Sequence, residues 1–295
     1  MISIRVPATS ANMGPGFDCL GIALNLYNDY FIEEIDNGLI IESCEESFNN
    51  KDNLVYTSMQ NLFEKVGYKP KGIKIIVESQ IPVSRGLGSS ATCILAGVLA
   101  ANEIANANLS KTEILQMASE IEGHPDNISP ALFGGMVISL KDENIVFHEK
   151  INVSSNIKFC AIIPDFKLST EEARAVLPEK IDYKDAVYNI SHSCLMVAAL
   201  SNGNDELIKV ACKDMLHQDY RGKLIKNYND IIQKSNSLNC IGSFLSGAGP
   251  TILVIIRKDD NCFCKNIKQY LEKFSTKYCV KELSQDLVGA RVEKS

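Results

Sequence analysis

The sequence predicts a mixed fold of strands and helices that is divided into two domains near residue 157. Its 295 residues are enough for one large domain or two ordinary ones. Strand-like and helix-like segments follow one another along the whole chain, without an internal repeat. The polar stretch 142–157 ends the first series, and the strand-like Lys158–Ile163 begins the second. We therefore expect domains at residues 1–157 and 158–295.

The first domain is expected to open with strands. Ile2–Val6 alternates as a half-buried strand does, and it should stop at Pro7 because proline cannot donate to a sheet ladder. Further strands are predicted over residues 23–35 and 39–42. Between them, Asp36-Asn37-Gly38 is a hairpin signal.

Helical spacing and caps predict the remaining elements. Residues 53–66 have one apolar side, and a capping box formed by Ser110 and Glu113 predicts a helix that ends at about residue 121. The second domain is expected to contain strands at 158–163, 252–256 and 278–283, and helices at 169–176, 184–200, 205–215 and 262–274.

The composition excludes several classes of partner. The hydrophobic fraction of 45% and the charged fraction of 22% are typical of a globular protein, and the net charge of −6 argues against nucleic acid as a partner. The longest apolar runs are shorter than the roughly 18 residues that a membrane span requires. A small anionic ligand remains compatible with the charge, because it needs only a local cluster of donors.

The cysteines are interpreted as reduced thiols. The chain begins as a strand rather than as a signal peptide, so its ten cysteines favour a cytoplasmic protein over a disulfide scaffold. Cys262 and Cys264 lack the spacing of a metal site. The sequence leaves the oligomeric state open, with a homodimer among the options.

A glycine-rich loop at Pro82–Ala91 is the strongest candidate for a binding site. It joins a strand-like segment, 73–81, to an apolar helical run, 91–107. Glycines at 86 and 88 let the backbone approach a phosphate, and the first turn of a helix offers unpaired N–H donors. No lysine follows the second glycine, so this is not a Walker A loop. Taken alone, the loop is equally compatible with a plain turn.

Three more loops carry polar or glycine-rich groups. Residues 8–21 include Asn12 and Asp18, which either bond their own backbone or contact a ligand. The loop 120–127 is either solvated or, if it faces the phosphate loop, supplies a carboxylate to magnesium. A second glycine loop, 242–251, precedes the strand at 252–256.

Taken together, these loops resemble the GHMP kinases. The segment 82–91 fits the P-x-x-x-G-L-G-S-S-A phosphate loop of that superfamily, and 246–251 fits its third motif. The segment 6–18 resembles the signature of the homoserine kinase family, with Met13 where leucine is usual. The resemblance extends from Pro7 to Thr251 and is far more specific than any single loop.

The resemblance implies an α+β fold of two domains and a kinase activity. The N-terminal domain would be like the second domain of ribosomal protein S5, and the C-terminal domain would be ferredoxin-like, with the site between them. The activity would be ATP-dependent phosphorylation of the side-chain hydroxyl of L-homoserine, in threonine biosynthesis. Two alternatives stay open: another small-molecule GHMP kinase, such as a mevalonate or cytidyl-methylerythritol kinase, and an inactive nucleotide-binding regulator.

The resemblance also implies the cofactors, ATP and Mg²⁺, and their residues. The nucleotide would contact Asn53, Pro82, Val83, Ser84, Arg85, Gly86, Leu87, Gly88, Ser89, Ser90, Ala91 and Thr92. Magnesium would be held by Ser90 and Glu120, which matches the family position better than Glu122. Asn127 lies where mevalonate and galactokinases have a catalytic aspartate, so no general base is evident. The catalytic set is therefore expected to be Asn127, Glu120 and Ser90.

The resemblance assigns the amino-acid pocket to seven residues: Asn12, Asp18, His124, Asp126, Arg174, Arg221 and Gly247. Asp18 would bind the substrate ammonium. The two arginines would bind its carboxylate, because a guanidinium grips a carboxylate at two points. Without the resemblance, each arginine is better interpreted as a surface charge.

Overall fold

A computed structural model describes residues 1–43 and 45–294. Their strands form a seven-stranded and a four-stranded sheet. The first sheet contains β1 (Ile2–Ala11), β2 (Leu20–Glu34), β3 (Gly38–Glu42), β4 (Gly72–Ser79), β5 (Met136–Asp142), β6 (Ile145–Ile151) and β11 (Arg291–Lys294). The second contains β7 (Ile157–Pro164), β8 (Gly242–Leu245), β9 (Ile252–Arg257) and β10 (Tyr278–Leu283).

The helices alternate with these strands. In the first half of the chain they are α1 (Leu54–Val66), α2 (Ser89–Ile104), α3 (Lys111–Glu122) and α4 (Ile128–Phe133). In the second half they are α5 (Thr170–Ala175), α6 (Tyr183–Asn202), α7 (Asp205–Ala211), α8 (Gln218–Arg221), α9 (Tyr228–Ser237) and α10 (Phe263–Leu271). Strands β5, β6, β8 and β11, and helices α4, α8 and α9, were not predicted from the sequence.

The long strand β2 organises the first sheet, whose order is β11-β1-β2-β4-β3. Its second half, Asn28–Glu34, pairs with β4, and its start, Leu20–Ile22, pairs with β5. The predicted hairpin between β2 and β3 is wrong, because β4 lies between them and pairs with β3 in parallel. A local turn signal cannot reveal that a later strand inserts there.

Pro7 does not end the first strand. The ladder between β1 and β2 shifts its register between Pro7 and Ala8, and β1 continues to Ala11. A bulge is one of the places where a sheet tolerates proline, because the ladder is interrupted there in any case. The first candidate loop therefore starts at Asn12, four residues later than expected.

The helices of the first domain pack over its sheet, and α2 lies at the centre of their core. Eleven of its residues are buried, and Ile94, Leu95 and Val98 belong to the core cluster. The neighbouring helix α3 starts with the predicted capping box, in which Ser110 and Glu113 satisfy each other's backbone N–H groups. This packing fixes the position of the loop that precedes α2.

The second sheet has the order β10-β7-β9-β8 and is antiparallel throughout. This is the strand order of a ferredoxin-like fold, so the α+β fold with a ferredoxin-like second domain is confirmed. Its inner face shares a core with the first domain. That core joins Leu24 and Leu87 from the first domain to Phe159, Met196 and Phe244 from the second.

The final strand returns to the first sheet. Arg291–Lys294 pairs with the first residues of β1, and Arg291 Nη2 donates a hydrogen bond of 2.6 Å to the buried Asp286. The assignment of residues 158–295 to one domain is corrected for these four residues, because their main-chain pairing with β1 places them in the first sheet. Among residues 1–43 and 45–294, no helix is long and apolar enough to cross a membrane.

Candidate active site

A cavity of about 560 Å³ lies between the two domains, within the usual size range of small-molecule sites. Most of the predicted residues line it: Asn12, Asp18, Asn53, Pro82, Val83, Ser84, Arg85, Gly86, Gly88, Ser89, Ser90, His124, Asp126, Asn127, Arg174, Arg221 and Gly247. Four predicted residues are not among the lining residues: Leu87, Ala91, Thr92 and Glu120.

The phosphate loop ends in a helix start that no side chain caps. Gly88 is the N-cap of α2 in the left-handed conformation, with φ of 70° and ψ of 24°. Because the cap has no side chain, the N–H groups of the first turn remain available to a ligand, and the helix dipole favours a negative one. The loop therefore has the geometry of an anion site.

Hydrogen bonds join the three glycine loops to one another. Ser246 Oγ donates to the Gly86 carbonyl at 2.6 Å, and the Gly247 N–H donates to the Ala11 carbonyl at 3.1 Å. The Thr9 N–H donates to the Leu87 carbonyl at 3.1 Å. A Cβ on Gly86 would collide with the Ser246 carbonyl, so only glycine allows this approach. The cavity walls from both domains are held together at this point.

The three predicted phosphate-loop residues that miss the cavity have structural roles. Leu87 and Ala91 are buried in the two cores. The Thr92 hydroxyl donates to the Ser89 carbonyl and lies 2.8 Å from the Tyr30 hydroxyl, so it faces the helix and the sheet. The triphosphate is expected to contact the main-chain amides of residues 86–91, so the burial of the Leu87 and Ala91 side chains leaves that expectation a prediction.

Two lining residues already use their side chains for other purposes. Asn53 caps α1, with its Oδ1 accepting from the Val55 N–H at 2.9 Å, and its Nδ2 donates to the Phe48 carbonyl. The Arg85 guanidinium donates to the carbonyls of Pro164 and Asp165, at the end of β7. Neither side chain is free to contact the nucleotide as the sequence suggested.

Glu122, rather than Glu120, faces the phosphate loop. Ser90 Oγ donates a hydrogen bond of 2.7 Å to Glu122 Oε2, and burial raises the pKa of the Glu122 carboxyl. Glu120 is exposed on the other side of α3, which corrects the preference for it. The helical periodicity of the sequence indicates that Glu122 faces inward, because it follows the buried Leu115 and Ala118 by seven and four residues.

The oxygen atoms of Ser90 and Glu122 fit a magnesium ion that binds together with a nucleotide. Magnesium keeps several waters and usually takes one or two protein oxygens plus substrate phosphates. In the described part of the chain, no group of three or more His, Cys, Asp or Glu side chains could hold a metal by itself. The Glu122 carboxylate beside an anion site can supply the one or two protein oxygens that magnesium needs, without such a cluster.

The turn between α3 and α4 supplies three polar side chains. His124 Nδ1 lies 3.3 Å from Asp126 Oδ1, and this buried carboxylate raises the pKa of His124. Asn127 Oδ1 accepts a hydrogen bond of 2.8 Å from Thr9 Oγ1. That bond fixes the amide so that its Nδ2, which lies 3.4 Å from Asp126 Oδ1, is the donor end toward the site.

Asp18 and Arg174 form an ion pair on the opposite wall. Arg174 Nη2 lies 2.8 Å from Asp18 Oδ1, and both side chains are about one-third exposed, at 37% and 35%. The Asp18 N–H donates to Asn12 Oδ1, and Asn12 Nδ2 donates to the Gly247 carbonyl. Asn12 thus connects the first glycine loop to the third.

Arg221 is buried beside this pair without an acidic partner of its own. Its exposed fraction is 2%, and its guanidinium donates only to the carbonyls of Ala173 and Gly247, both at 3.1 Å. Burial, together with the positive charge of Arg174, lowers the pKa of Arg221 to about 10. Within residues 1–43 and 45–294 it makes no salt bridge, so it offers a positive charge to a bound carboxylate.

Sequence reasoning missed two residues of this site. Phe17 packs against both arginines, and Thr9 orients Asn127. Both lie in the first candidate loop or the strand before it. Their neighbours Asp18 and Asn12 were recognised because they are polar, whereas an aromatic ring in a loop gives no comparable signal.

Comparisons with known proteins agree with this geometry. The family model for the GHMP kinases N terminal domain matches residues 53–135, and that for GHMP kinases C terminal matches residues 196–272. A homoserine kinase of Clostridium botulinum is 56% identical over 292 residues, 99% of this chain and 98% of that protein. One of Clostridium beijerinckii is 52% identical over 293 residues, with the same coverage, 99% and 98%.

A crystal structure supports the same grouping. The homoserine kinase of Cytophaga hutchinsonii superposes with a TM-score of 0.90 at 27% sequence identity, covering 99% of this chain and 97% of that one. Three findings lead to the same family: the sequence identity over nearly the full length, the two matched domains and the shared fold. The chain belongs to the homoserine kinase family of the GHMP kinases.

Proposed function

We propose that this chain transfers the γ-phosphoryl group of ATP to the side-chain hydroxyl of L-homoserine. The observation that carries the proposal is the arrangement of Asp18, Arg174 and Arg221 around one end of the cavity. One carboxylate and two guanidiniums match the ammonium and the carboxylate of an α-amino acid. The phosphate loop at the other end matches a nucleotide, and the 56% identity to a homoserine kinase supports both assignments.

The nucleotide is proposed to lie along the first domain. Its triphosphate would bind the main-chain N–H groups of residues 86–91 at the start of α2. Its base would occupy the apolar end of the cavity, which Phe48, Leu54 and Val83 line. The absence of a phosphate-binding lysine among the lining residues makes the backbone donors the main source of positive potential there.

Ser90 and Glu122 are the proposed magnesium residues. A bound Mg²⁺ neutralises charge on the β- and γ-phosphates. Glu122 would be ionised in that complex, because a cation beside a carboxylate offsets the burial that otherwise raises its pKa. In the free protein, the Ser90 hydroxyl donates a hydrogen bond to this carboxylate.

Homoserine is proposed to bind with both of its charges at the end of the cavity that Asp18, Arg174 and Arg221 line. Asp18 accepts the ammonium, and Arg221 with Arg174 grips the carboxylate. Asp18 is then shared between Arg174 and the substrate, which keeps every charge paired. The side-chain hydroxyl would extend towards Asn127 and the phosphate loop, since these line the same cavity.

The chemical step needs positioning more than a strong base. The homoserine oxygen forms a bond to the γ-phosphorus, the bridging P–O bond to ADP breaks, and the hydroxyl proton is released. A loose transition state demands little prior deprotonation of the alcohol. Asn127 Nδ2, whose amide is oriented by the hydrogen bond from Thr9, would donate a hydrogen bond to the reacting oxygens.

A coupled assay of ADP release tests the proposal against the alternatives. We expect turnover with L-homoserine and none above background with mevalonate or galactose. Mevalonate has a carboxylate but no ammonium, so it would leave Asp18 without a partner. Preference for mevalonate would contradict the assignment, and absence of ADP release with every acceptor would favour an inactive nucleotide-binding protein.

The proposed product fits one metabolic role. A homoserine kinase supplies the O-phospho-L-homoserine that threonine biosynthesis consumes. Because the reaction uses ATP as a co-substrate, we propose that it takes place in the cytoplasm.

A further inference from the structure

Phe17 lies against both arginines of the site. The guanidinium carbon of Arg221 is 5.0 Å from the centre of the Phe17 ring, and that of Arg174 is 5.6 Å away. Both distances are within the roughly 6 Å over which a cation is attracted to the negative face of an aromatic ring. One side chain therefore contacts both cations of the carboxylate-binding wall.

A buried histidine holds this ring in place. The rings of Phe17 and His217 stack at 5.2 Å with 25° between their planes. His217 is fully buried, its Nε2 donates to the Gly14 carbonyl at 2.7 Å, and its main-chain N–H donates to Asp214 at 2.8 Å. Burial lowers the pKa of His217, so the ring behind Phe17 is neutral.

The two arginines need such a platform before substrate arrives. Their positive charges repel each other, and only Arg174 has an ion-pair partner, Asp18. Arg221 is buried with two carbonyl acceptors and no carboxylate within the described residues. An aliphatic neighbour has no negative ring face to attract the guanidiniums, so Arg174 could move away toward solvent and the pair would lose the spacing that a bidentate carboxylate requires.

We propose that Phe17 is a positioning residue that holds Arg174 and Arg221 at the spacing needed to bind the substrate carboxylate. The inference rests on the proposed function, because the carboxylate in question is that of the amino-acid acceptor. Phe17 acts through the two arginines and touches no reacting atom. Its effect is therefore expected on acceptor binding and not on the phosphoryl transfer itself.

The kinetic test compares Phe17→Leu with Phe17→Tyr. Leucine keeps the apolar bulk but removes the ring face, and two cation–π contacts correspond to a rise in the KM for homoserine of roughly 5- to 30-fold. The kcat and the KM for ATP should stay within about twofold. Tyrosine keeps the ring face and should retain the wild-type KM. Phe147→Leu, at an exposed position on β6, is the matched control.

A second variant separates electrostatics from shape. Pentafluorophenylalanine at position 17 has nearly the size of phenylalanine, but its ring face is positive, so it should fold and still raise the KM as leucine does. A KM equal to that of wild type in this variant, or a loss in kcat and ATP affinity as large as the loss in homoserine affinity, would overturn the inference.

A measurement on the free protein distinguishes this inference from the proposed function. The sequence has six arginines, so the side-chain Nε–H signals in a ¹⁵N-arginine spectrum can be assigned by substitution. In the wild type, ring current from Phe17 should shift the Arg174 and Arg221 signals, and Phe17→Leu should abolish both shifts. Unchanged signals would refute the positioning role of Phe17 even if homoserine is the substrate. Failure to phosphorylate homoserine would refute the proposed function without affecting this result.

Discussion

Ser90 Oγ donates a 2.7 Å hydrogen bond to Glu122 Oε2, and this contact joins the first turn of α2 to the last residue of α3. It brings a half-buried carboxylate to an anion site, where the carboxylate is unfavourable unless a cation accompanies the anion. Burial raises the pKa of Glu122 accordingly. The protein thus keeps an energetically costly negative charge where the proposed metal is needed.

Glu122→Gln should stabilise the free protein and impair the enzyme. A folded-state pKa raised above the unfolded value means that the ionised carboxyl costs stability above about pH 4.5, and a neutral amide removes that cost while still accepting the Ser90 bond. We expect a Tm a few degrees higher at pH 7.5 without ligands. The kcat should fall by roughly 100-fold or more, because the proposed magnesium ligand is lost.

Glu120→Gln is the matched control, since it makes the same chemical change two residues away on the exposed side of α3. Thermal melts and the ADP-release assay should both give wild-type values. A larger loss of turnover in the Glu120 variant than in the Glu122 variant would return the metal to Glu120.

Arg221→Lys is expected to be more damaging than Arg174→Lys. Arg221 is buried and bonds two carbonyls, so lysine loses the bidentate fork and leaves one acceptor unpaired; kcat/KM for homoserine should fall by about 100-fold. Arg174 is 37% exposed, and its loss should be about tenfold. Arg257→Lys, in an exposed ion pair on β9, should change neither kcat/KM nor the KM for ATP. Equal effects at Arg221 and Arg257 would remove Arg221 from the site.

Gly88→Ala and Gly67→Ala separate backbone strain from crowding. The two glycines have nearly the same conformation, with φ of 70° in both and ψ of 24° and 25°. A Cβ on Gly67 meets nothing, whereas one on Gly88 would collide with Thr9 Oγ1 and crowd Asn127. Gly67→Ala should cost about 1 kcal/mol of unfolding free energy, from strain alone.

Gly88→Ala should cost about 2–3 kcal/mol and also weaken nucleotide binding, because Thr9 and the phosphate loop must move apart. Denaturant unfolding measures the first effect and nucleotide titration the second. Equal losses of stability in the two variants would show that the Thr9 side chain adjusts without strain.

His124 should make stability depend on pH near neutrality. Its pKa is raised above 6.5 by the Asp126 carboxylate, so the protonated form stabilises the fold fully below about pH 6.5, and this contribution disappears as the pH rises through the folded-state pKa. The Tm difference between wild type and His124→Gln should be larger at pH 6 than at pH 8.5. In an Asp126→Asn background the difference should lose its pH dependence. A difference independent of pH in both backgrounds would contradict the pairing.

Local signals in the sequence predicted much of the site. Gly86 and Gly88 are required by close backbone approach, and the capping box at Ser110 marks the start of α3, so these features can be identified from the residues alone. The resemblance to a known family then brought distant loops together. Arg174 and Arg221 could be assigned to one pocket only in this way, because no local pattern distinguishes them from surface charges.

The features that failed depend on contacts between distant segments. The parallel pairing of β3 with β4 follows from a strand inserted after a helix, which a turn signal cannot anticipate. Asn53 lines the cavity, but its amide caps α1, and a sequence does not show which of two partners an amide selects. The preference for Glu120 over Glu122 is a different kind of error, because the helical periodicity of α3 alone indicates that Glu122 faces inward.

The pairing of Arg291–Lys294 with β1 has a consequence for the folding of the nascent chain. The outer edge of β1 is completed by a strand that the ribosome produces on the order of 15 to 60 s later, at ordinary elongation rates. Until then the nascent first domain exposes an unpaired strand edge, which is a hazard for aggregation. The first sheet is therefore completed only after the strands of the second sheet have been translated.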